Sequence, residues 1–371
     1  MRILCACGRF IRKNTVLSIA LLAAAATMFV IPPDAAYAGY FDLKTLTCLF
    51  CVLAVVCALK NIHFFTYLAR RIVQLTGNAR MAILALVYVT FVGSMLIAND
   101  MALLTFLPLG YYVLAATGQM KYLAFTFIMQ NIAANLGGML TPFGNPQNLY
   151  LYTRFALPTG EFVQIMWPPF ALAVAMITVC CLFVRGEKLT LMRDESPAPP
   201  PARTAAYLAL FALAIVIVFR AIPYWIGLIV IPAALLALDR RALAQVDYAL
   251  LLTFCCFFVF AGNMARIPGV RDFFASVLGK STLLFSALSC QFISNVPTAI
   301  LLSRFTDNYR ELLWGVNIGG AGTLIASLAS LITFREYTRI YPGRAGYYLA
   351  RFSAFNFGFL AIMLLFCLAI A

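Results

Sequence analysis

The chain contains 371 residues, of which 64% are hydrophobic and only 11% are charged. An average soluble domain is about half apolar and about a quarter charged, so the composition excludes a water-soluble fold. The formal net charge of +14 would suggest a nucleic-acid partner in a soluble protein. In a membrane protein it reflects the Lys and Arg that collect in cytoplasmic loops. We therefore expect a lipid bilayer around this chain and no nucleic acid.

The cysteines and the histidine form no metal or redox motif. Most of the 11 cysteines lie in apolar segments, where Cys behaves as a small apolar residue. His63 is the only histidine, and no Cys/His spacing matches a zinc site. We expect no metal, no enzymatic activity and no cofactor other than a coupling Na+ or H+.

The N-terminal region, 1–38, combines a basic tail with an apolar segment at 16–33. The small residues Ala36 and Ala38 that follow resemble a signal-peptidase site. The internal repeat described below favours a retained first helix instead.

The rest of the first half consists of apolar segments and one mixed segment. Residues 60–80 carry apolar side chains at helical spacing with Arg70 and Arg71 among them, which predicts an interfacial helix rather than a span. A helix needs about 20 apolar residues to cross the bilayer. The segments that approach this length lie at 43–59, 81–98, 101–116, 121–140 and 162–184.

A polar, Pro-rich stretch at 185–204 predicts a cytoplasmic linker between two halves, 39–184 and 205–371. Apolar segments of the second half lie at 205–221, 223–238, 248–264, 281–305, 312–334 and 347–370. Asn99 and Asn295 each interrupt an apolar stretch, and each interruption predicts a re-entrant hairpin. Alternating strand patterns are absent, so the fold class is an all-α polytopic membrane protein.

The two halves carry the same motifs in the same order, which indicates an internal repeat. Asp42 opens one apolar segment and Asp247 opens its counterpart. Further pairs are Asn99 with Asn295, Asn135 with Asn317, Thr141 with Thr323, Asn145 with Ser327, and Asn148 with Ser330. Placing the N-terminus in the cytoplasm leaves most Lys and Arg on that side and gives the repeats opposite orientations. The chain is therefore predicted to be an inner-membrane protein with two inverted repeats.

Inverted repeats with matched interruptions are typical of transporters, whose site lies between discontinuous helices. Residues 141–148 contain prolines and a glycine, which break the helix, beside Thr, Asn and Gln. The backbone groups freed by the break can therefore contact a ligand. Asp100 is the acidic residue predicted to lie deep in the membrane, where a carboxylate indicates function, unless it caps a helix nearer the interface. Asn131 and Asn135 either reach the same cavity or bridge helices.

These motifs together resemble the ion transporter superfamily, with its arsenite permease, citrate-transporter-like and divalent-anion/sodium symporter branches. The resemblance rests on Asn99-Asp100, on Thr-Pro-Phe-Gly-Asn-Pro-Gln-Asn at 141–148, on Ser294-Asn295-Val296-Pro297 and on the stretch 317–330. It implies re-entrant hairpins, two broken helices, a homodimer, and a transport domain that moves like an elevator against a scaffold.

The resemblance also implies site residues. Ion ligands would be Asn99, Asp100, Asn145, Ser294, Asn295 and Thr323. The substrate between the hairpin tips would be bound by Thr141, Pro142, Gly144, Asn148, Thr298 and Ser327. The dicarboxylate symporters carry Ser-Asn-Thr at both tips, whereas this chain has Ala98-Asn99-Asp100 and Ser294-Asn295-Val296, which favours the arsenite-permease or citrate-transporter-like branch.

The leading functional prediction is ion-coupled transport of a small anion such as a carboxylate. Alternatives are an arsenite- or antimonite-type efflux permease that moves neutral hydroxides, and a sodium/proton antiporter. From other classes, a membrane enzyme would need an interfacial catalytic set, and a channel is disfavoured only by the repeat with its broken helices.

Overall fold

The computed structural model describes residues 15–188 and 198–371. The predicted basic tail, 1–14, and the middle of the predicted linker, 189–197, lie outside the described residues. Apart from an isolated bridge between Asn78 and Lys188, the described residues form helices and the loops between them.

The helices of the first half follow the apolar segments of the sequence. They are α1 (Thr15–Val30), α2 (Leu43–Asn61), α3 (Phe64–Gln74), α4 (Ala79–Ile97), α5 (Asn99–Ala116), α6 (Leu123–Gly137), α7 (Pro146–Arg154) and α8 (Thr159–Leu182). Short 3-10 helices cover Ala35–Tyr40, Met120–Tyr122 and Gly138–Leu140.

The helices of the second half continue after the linker. They are α9 (Pro201–Val218), α10 (Tyr224–Leu238), α11 (Arg240–Ala244), α12 (Tyr248–Arg266), α13 (Pro268–Leu278), α14 (Thr282–Ile293), α15 (Asn295–Leu302), α16 (Tyr309–Ile318), α17 (Leu328–Ile340) and α18 (Ala345–Ile370).

Seven helices within the described residues are long and apolar enough to cross a membrane, and eight if the bent pair α13–α14 counts as one span. The predicted all-α polytopic membrane class is thereby confirmed. The inversion of the repeats stays a prediction from the charge distribution.

The order of elements repeats along the chain. Two series of elements, α1 to α8 and α10 to α18, have the same order, and α9 connects them. Each series consists of a helix, a short helix, a span, an amphipathic helix, a hairpin, a broken helix and a closing helix. In both series an aspartate caps the span that follows the short helix, which is α2 or α12: Asp42 Oδ1 accepts from Thr45 N at 3.0 Å, and Asp247 Oδ1 from Leu250 N at 2.9 Å. The motif order read from the sequence thus corresponds to a repeated structure.

The first helix of each series packs against the span of the other series. α1 packs on α12, and α10 packs on α2. Asn263 of α12 donates to Thr27 Oγ1 of α1 at 3.1 Å, while Asn61 of α2 donates to Asp239 Oδ2, beside α11, at 2.8 Å. The packing gives the first helix a structural role in the assembly of both halves.

Some elements differ from the sequence prediction. Helix α13 was not predicted, although its counterpart α3, also of 11 residues, was. The apolar segment at 312–334 is divided into α16 and α17 by a loop that contains Gly322 with φ of 126°, as the second broken helix implied by the resemblance requires. The last residues of the predicted linker, 201–204, begin α9, since Pro is favoured in the first turn of a helix.

Candidate substrate and ion site

The two hairpin tips have the same backbone and side-chain geometry. The chain reverses at Ala98 with φ of 63° and at Ser294 with φ of 73°, which ends α4 and α14. In each case the next residue is a buried Asn whose Oδ1 accepts the following backbone N–H. Asn99 binds Asp100 N at 2.9 Å, and Asn295 binds Val296 N at 2.9 Å. Both asparagines therefore stabilise the N-terminus of a half-helix.

Each hairpin (α4–α5 and α14–α15) is bound to the broken helix of its own repeat (α6–α7 and α16–α17) by a threonine. This threonine lies in the break, the stretch between the two half-helices of the broken helix. Thr141 Oγ1 donates to Met95 O at 2.8 Å, and Thr323 Oγ1 donates to Gln291 O at 2.9 Å. In both repeats the carbonyl belongs to the residue four before the hairpin asparagine. The two hydroxyls predicted to contact substrate or ion are thus donated to backbone in this conformation.

Glycines allow the hairpins to pack closely on the broken helices. A side chain at Gly137 would meet the Phe91 carbonyl, and one at Gly319 would approach Ala287 Cα at 3.0 Å. Within the first break, Gly144 lies directly against the Gly138 carbonyl. These contacts fix the position of each hairpin tip relative to the break.

Side chains of the two repeats meet at one buried point, here termed the amide cluster (Asn99, Asn135, Asn145, Asn317 and Ser327). Asn135 Oδ1 accepts from Asn99 Nδ2 at 3.1 Å and from Ser327 Oγ at 2.8 Å. Asn317 Oδ1 accepts from Asn145 Nδ2 at 3.4 Å. Because Asn145 and Ser327 are equivalent positions, each repeat's break donates to the asparagine that ends the other repeat's half-helix.

The two breaks are stabilised differently beyond this shared pattern. In repeat 1, Asn148 Nδ2 lies within hydrogen-bond distance of the Gly138 and Met139 carbonyls, at 3.2 and 3.3 Å. In repeat 2, the hairpin residue Gln291 donates to Gly319 O at 2.9 Å and to Ala321 O at 3.3 Å. The first break is therefore held by its own second half-helix, and the second by its hairpin.

Asp100 lies in the first turn of α5, directly after Asn99. Ala98 is the N-cap residue of this helix and no side chain caps it, so the carboxylate does not serve the capping role. Its Oδ1 atom is buried without a hydrogen-bond partner among the described residues. The equivalent residue, Val296, is apolar, so only one hairpin presents a carboxylate.

The remaining predicted residues lie at the second hairpin tip, on the half-helix that follows it, and in the first break. Asn295 and Ser294 reach the second break, where Asn295 N donates to Ala326 O at 3.0 Å and Ser294 Oγ to the same carbonyl at 3.3 Å. Thr298 turns back on its own half-helix and donates to Ser294 O at 2.7 Å. Pro142 lies in the first break ahead of α7.

Sequence reasoning left Asn135 open and did not assign Asn317 or Gln291 to the site. Asn135 and Asn317 join the two repeats, and Asn317 Nδ2 also donates to Asn148 Oδ1 at 2.6 Å. Their signal in the sequence is the shared Asn-x-Gly-Gly pattern before each break. Gln291 has no such signal, because its counterpart is Met95.

A polar cleft of about 470 Å³ lies between the starts of α8 and α16. Tyr309 OH there donates to Glu161 Oε1 at 2.6 Å. Asn317 stands near the other end of α16, about 12 Å away at 1.5 Å of rise per residue. The cleft is therefore separate from the amide cluster.

Comparison with known proteins agrees with this architecture. A family model for the citrate transporter matches residues 4–309. The chain belongs to the citrate transporter family. The matched residues include both hairpins and the first break, whereas the second break lies beyond them, so its role in this family member rests on the structural symmetry.

Two of the curated relatives of this citrate transporter family member are named as transporters and one as an inner membrane protein. It is 32% identical over 296 residues to the uncharacterized transporter MJ0456 of Methanocaldococcus jannaschii, covering 79% of the chain and 81% of the relative. It is 29% identical over 282 residues to the inner membrane protein YbiR of Escherichia coli, covering 73% and 74%. A shorter match, 29% over 157 residues, covers 42% of the chain and 32% of the rice silicon efflux transporter LSI3. The protein is a multi-pass membrane transporter.

Proposed function

We propose that this protein is a secondary active transporter that moves a small anion, such as a carboxylate, across the inner membrane, coupled to Na+ or H+. The observation that carries the proposal is the amide cluster, which joins the breaks of both repeats beside the hairpin tip at Asn99. A site made by two moving halves can be exposed to either side of a membrane in turn.

The chemistry of the cluster suits an oxygen-rich ligand. The hydrogen bonds that join its side chains come from amides and a hydroxyl, which both donate and accept. The N-terminus of α5 lies at the first hairpin tip and that of α7 at the first break, and helix N-termini favour negative charge. An anion can therefore be bound without an arginine or lysine.

Asp100 is proposed as the coupling residue of this site. A buried carboxylate oxygen without a partner is stabilised by a bound cation or by protonation. Asn99, Asn145, Ser294, Asn295 and Thr323 are proposed to complete the ion sites, as the family resemblance implies. The apolar Val296 in the second hairpin makes the two ion sites unequal.

A second candidate is efflux of a neutral hydroxide such as silicic or arsenous acid. Two observations favour it: the amide cluster is neutral, and the shorter match is to a protein named as a silicon efflux transporter. Neutral amides and hydroxyls bind O–H groups as well as carboxylates.

Topology and assembly are proposed from the same reasoning. The N-terminus is cytoplasmic because most Lys and Arg then lie on that side, and a relative is named as an inner membrane protein. A homodimer is proposed from the family resemblance.

The test is uptake into proteoliposomes with the full chain. Citrate, succinate, sulfate, arsenite and silicic acid are offered singly, with and without an imposed Na+ or pH gradient. Electrogenic uptake of one anion that depends on a gradient supports the first proposal. Gradient-independent flux of a neutral hydroxide favours the second candidate, and flux of none of these solutes contradicts both.

A further inference from the structure

The positions equivalent to the Asn317–Asn148 pair are occupied differently in the other repeat. Asn317 Nδ2 donates to Asn148 Oδ1 at 2.6 Å, which ties the half-helix α16 to α7. By the register of the repeats, the corresponding residues are Asn135 on α6 and Ser330 on α17. Serine carries a short hydroxyl where asparagine carries a carboxamide, and this pair does not make the same direct contact.

Helical spacing places Ser330 beside Asn135. Ser327, which caps α17 one turn before Ser330, donates to Asn135 Oδ1 at 2.8 Å. Thr333, one turn after it, lies 3.4 Å from the Oδ1 atom of Asn131, one turn before Asn135 on α6. Residues three or four apart share one face of a helix, so Ser330 faces the interval between the two asparagines.

Both polar groups at this point are buried and unpartnered. Ser330 and Asn135 are 0% and 2% exposed. Within the described part of the chain, neither Ser330 Oγ nor Asn135 Nδ2 has a hydrogen-bond partner. Asn135 Oδ1 already accepts two hydrogen bonds, so the orientation of the amide is fixed and its N–H group is the free one. Buried polar groups in native proteins are almost always partnered.

We propose that repeat 2 binds a water molecule between the Asn135 amide and the Ser330 hydroxyl, at the place where repeat 1 has the carboxamide of Asn148. The ligand must accept from Asn135 Nδ2, which excludes a cation, and it must also donate to or accept from Ser330 Oγ. A water does both, and buried waters typically make two to four hydrogen bonds to such groups.

The site makes the two repeats unequal in a second way. The carboxamide in repeat 1 is covalently attached, whereas a water exchanges, so the contact between α6 and α17 can be remade without moving a side chain. This inference stands independently of the proposed substrate and of ion coupling.

The deciding variant is Ser330→Ala in the purified full chain, measured as the apparent Tm without any transported solute. If Ser330 holds a water, removing its hydroxyl lowers Tm by roughly 2–4 °C, the shift expected for one lost hydrogen bond in a large domain. If the hydroxyl is unpartnered, its removal leaves Tm unchanged or raises it, and the proposal is overturned.

Ser286→Ala is the matched control, because this buried serine donates within its own helix to Thr282 O at 2.6 Å. Its Tm shows the effect of removing a buried serine hydroxyl whose partner is the protein backbone. Ser330→Asn supplies the missing carboxamide and is expected to raise Tm above that of the wild type, whereas Asn148→Ser removes it from repeat 1 and is expected to lower Tm. If Ser330→Ala loses stability only when solute is present, the position belongs to the solute and the proposed water is ruled out. The proposal is also ruled out by a density map that resolves ordered water elsewhere but none within hydrogen-bond distance of both Asn135 Nδ2 and Ser330 Oγ.

Discussion

Asn317 is one of the residues through which the two broken helices contact each other, so its truncation should affect stability and transport together. Asn317→Ala removes the hydrogen bond to Asn148 Oδ1 at 2.6 Å and the one from Asn145 Nδ2 at 3.4 Å. It leaves Asn148 Oδ1 buried without its donor. The variant therefore disconnects α16 from α7 within the amide cluster.

The size of the effect follows from these two contacts. Hydrogen bonds between membrane helices contribute on average about 0.6 kcal/mol each. A buried acceptor left unpaired costs about 1–3 kcal/mol more. The expected loss in the free energy of unfolding is about 2–4 kcal/mol, which corresponds to a fall in apparent Tm of several degrees. Transport should fall further than this loss explains, because the relative position of the two breaks defines the proposed site.

A matched control lies outside the site. Asn263 is also fully buried and also makes two contacts to another element, to Thr27 Oγ1 at 3.1 Å and Tyr37 OH at 2.8 Å. Asn263→Ala should lower Tm by less than Asn317→Ala, because Thr27 Oγ1 and Tyr37 OH keep their own hydrogen bonds to Ala24 O and Ile31 O, and it should retain uptake per folded molecule in proteoliposomes. Equal uptake per folded molecule by the two variants would contradict a role of Asn317 in the site.

Three further outcomes are expected. Asp100→Asn should keep or raise the apparent Tm, since a buried unpaired carboxylate is costly, and should abolish the dependence of uptake on an imposed gradient; retained gradient dependence contradicts the coupling role. Gly137→Ala should cost about 1–3 kcal/mol by thermal unfolding, because its Cβ would meet backbone of α4, whereas Gly160→Ala, with nothing within 4 Å, should be near neutral. The hydrogen bond from Lys121 holds the pKa of Glu187 below its ordinary value. This contact therefore stabilises the fold above the unfolded pKa of Glu187, and the stabilisation is lost as pH falls through the lower folded pKa. Glu187→Gln should flatten the acid side of a curve of Tm against pH, and an unchanged curve counts against the contact.

Hydropathy and motif order predicted much of the fold. Lipid replaces water around most of the surface, so apolar length alone locates the spans, such as α2 and α12. The hairpin tips at Asn99 and Asn295 were predicted because polar residues interrupt apolar segments there. Helix α13 was not predicted, although it has the same length as its counterpart α3, 11 residues, and the repeat alone could have indicated it.

The candidate site was predicted in its residue types but not in its contacts. Pairing Asn145 with Ser327 followed from register alone, and both prove to donate across the repeats. The role of Thr141 and Thr323 in fastening the hairpins was not visible, because a hydroxyl in a break serves a ligand or a backbone carbonyl equally well.

The sequence by itself determined the membrane class, the repeat and the position of each interruption, because these depend on the length and spacing of apolar and polar residues along one chain. Only the tertiary structure decided that Asn135 and Asn317 form the junction of the repeats and that Gln291 replaces Asn148 as the support of the second break. It also decided that Ser330 Oγ has no hydrogen-bond partner among residues 15–188 and 198–371. Those facts depend on which helices pack together, and hydrogen bonds between residues about 170 positions apart leave no local pattern in the chain.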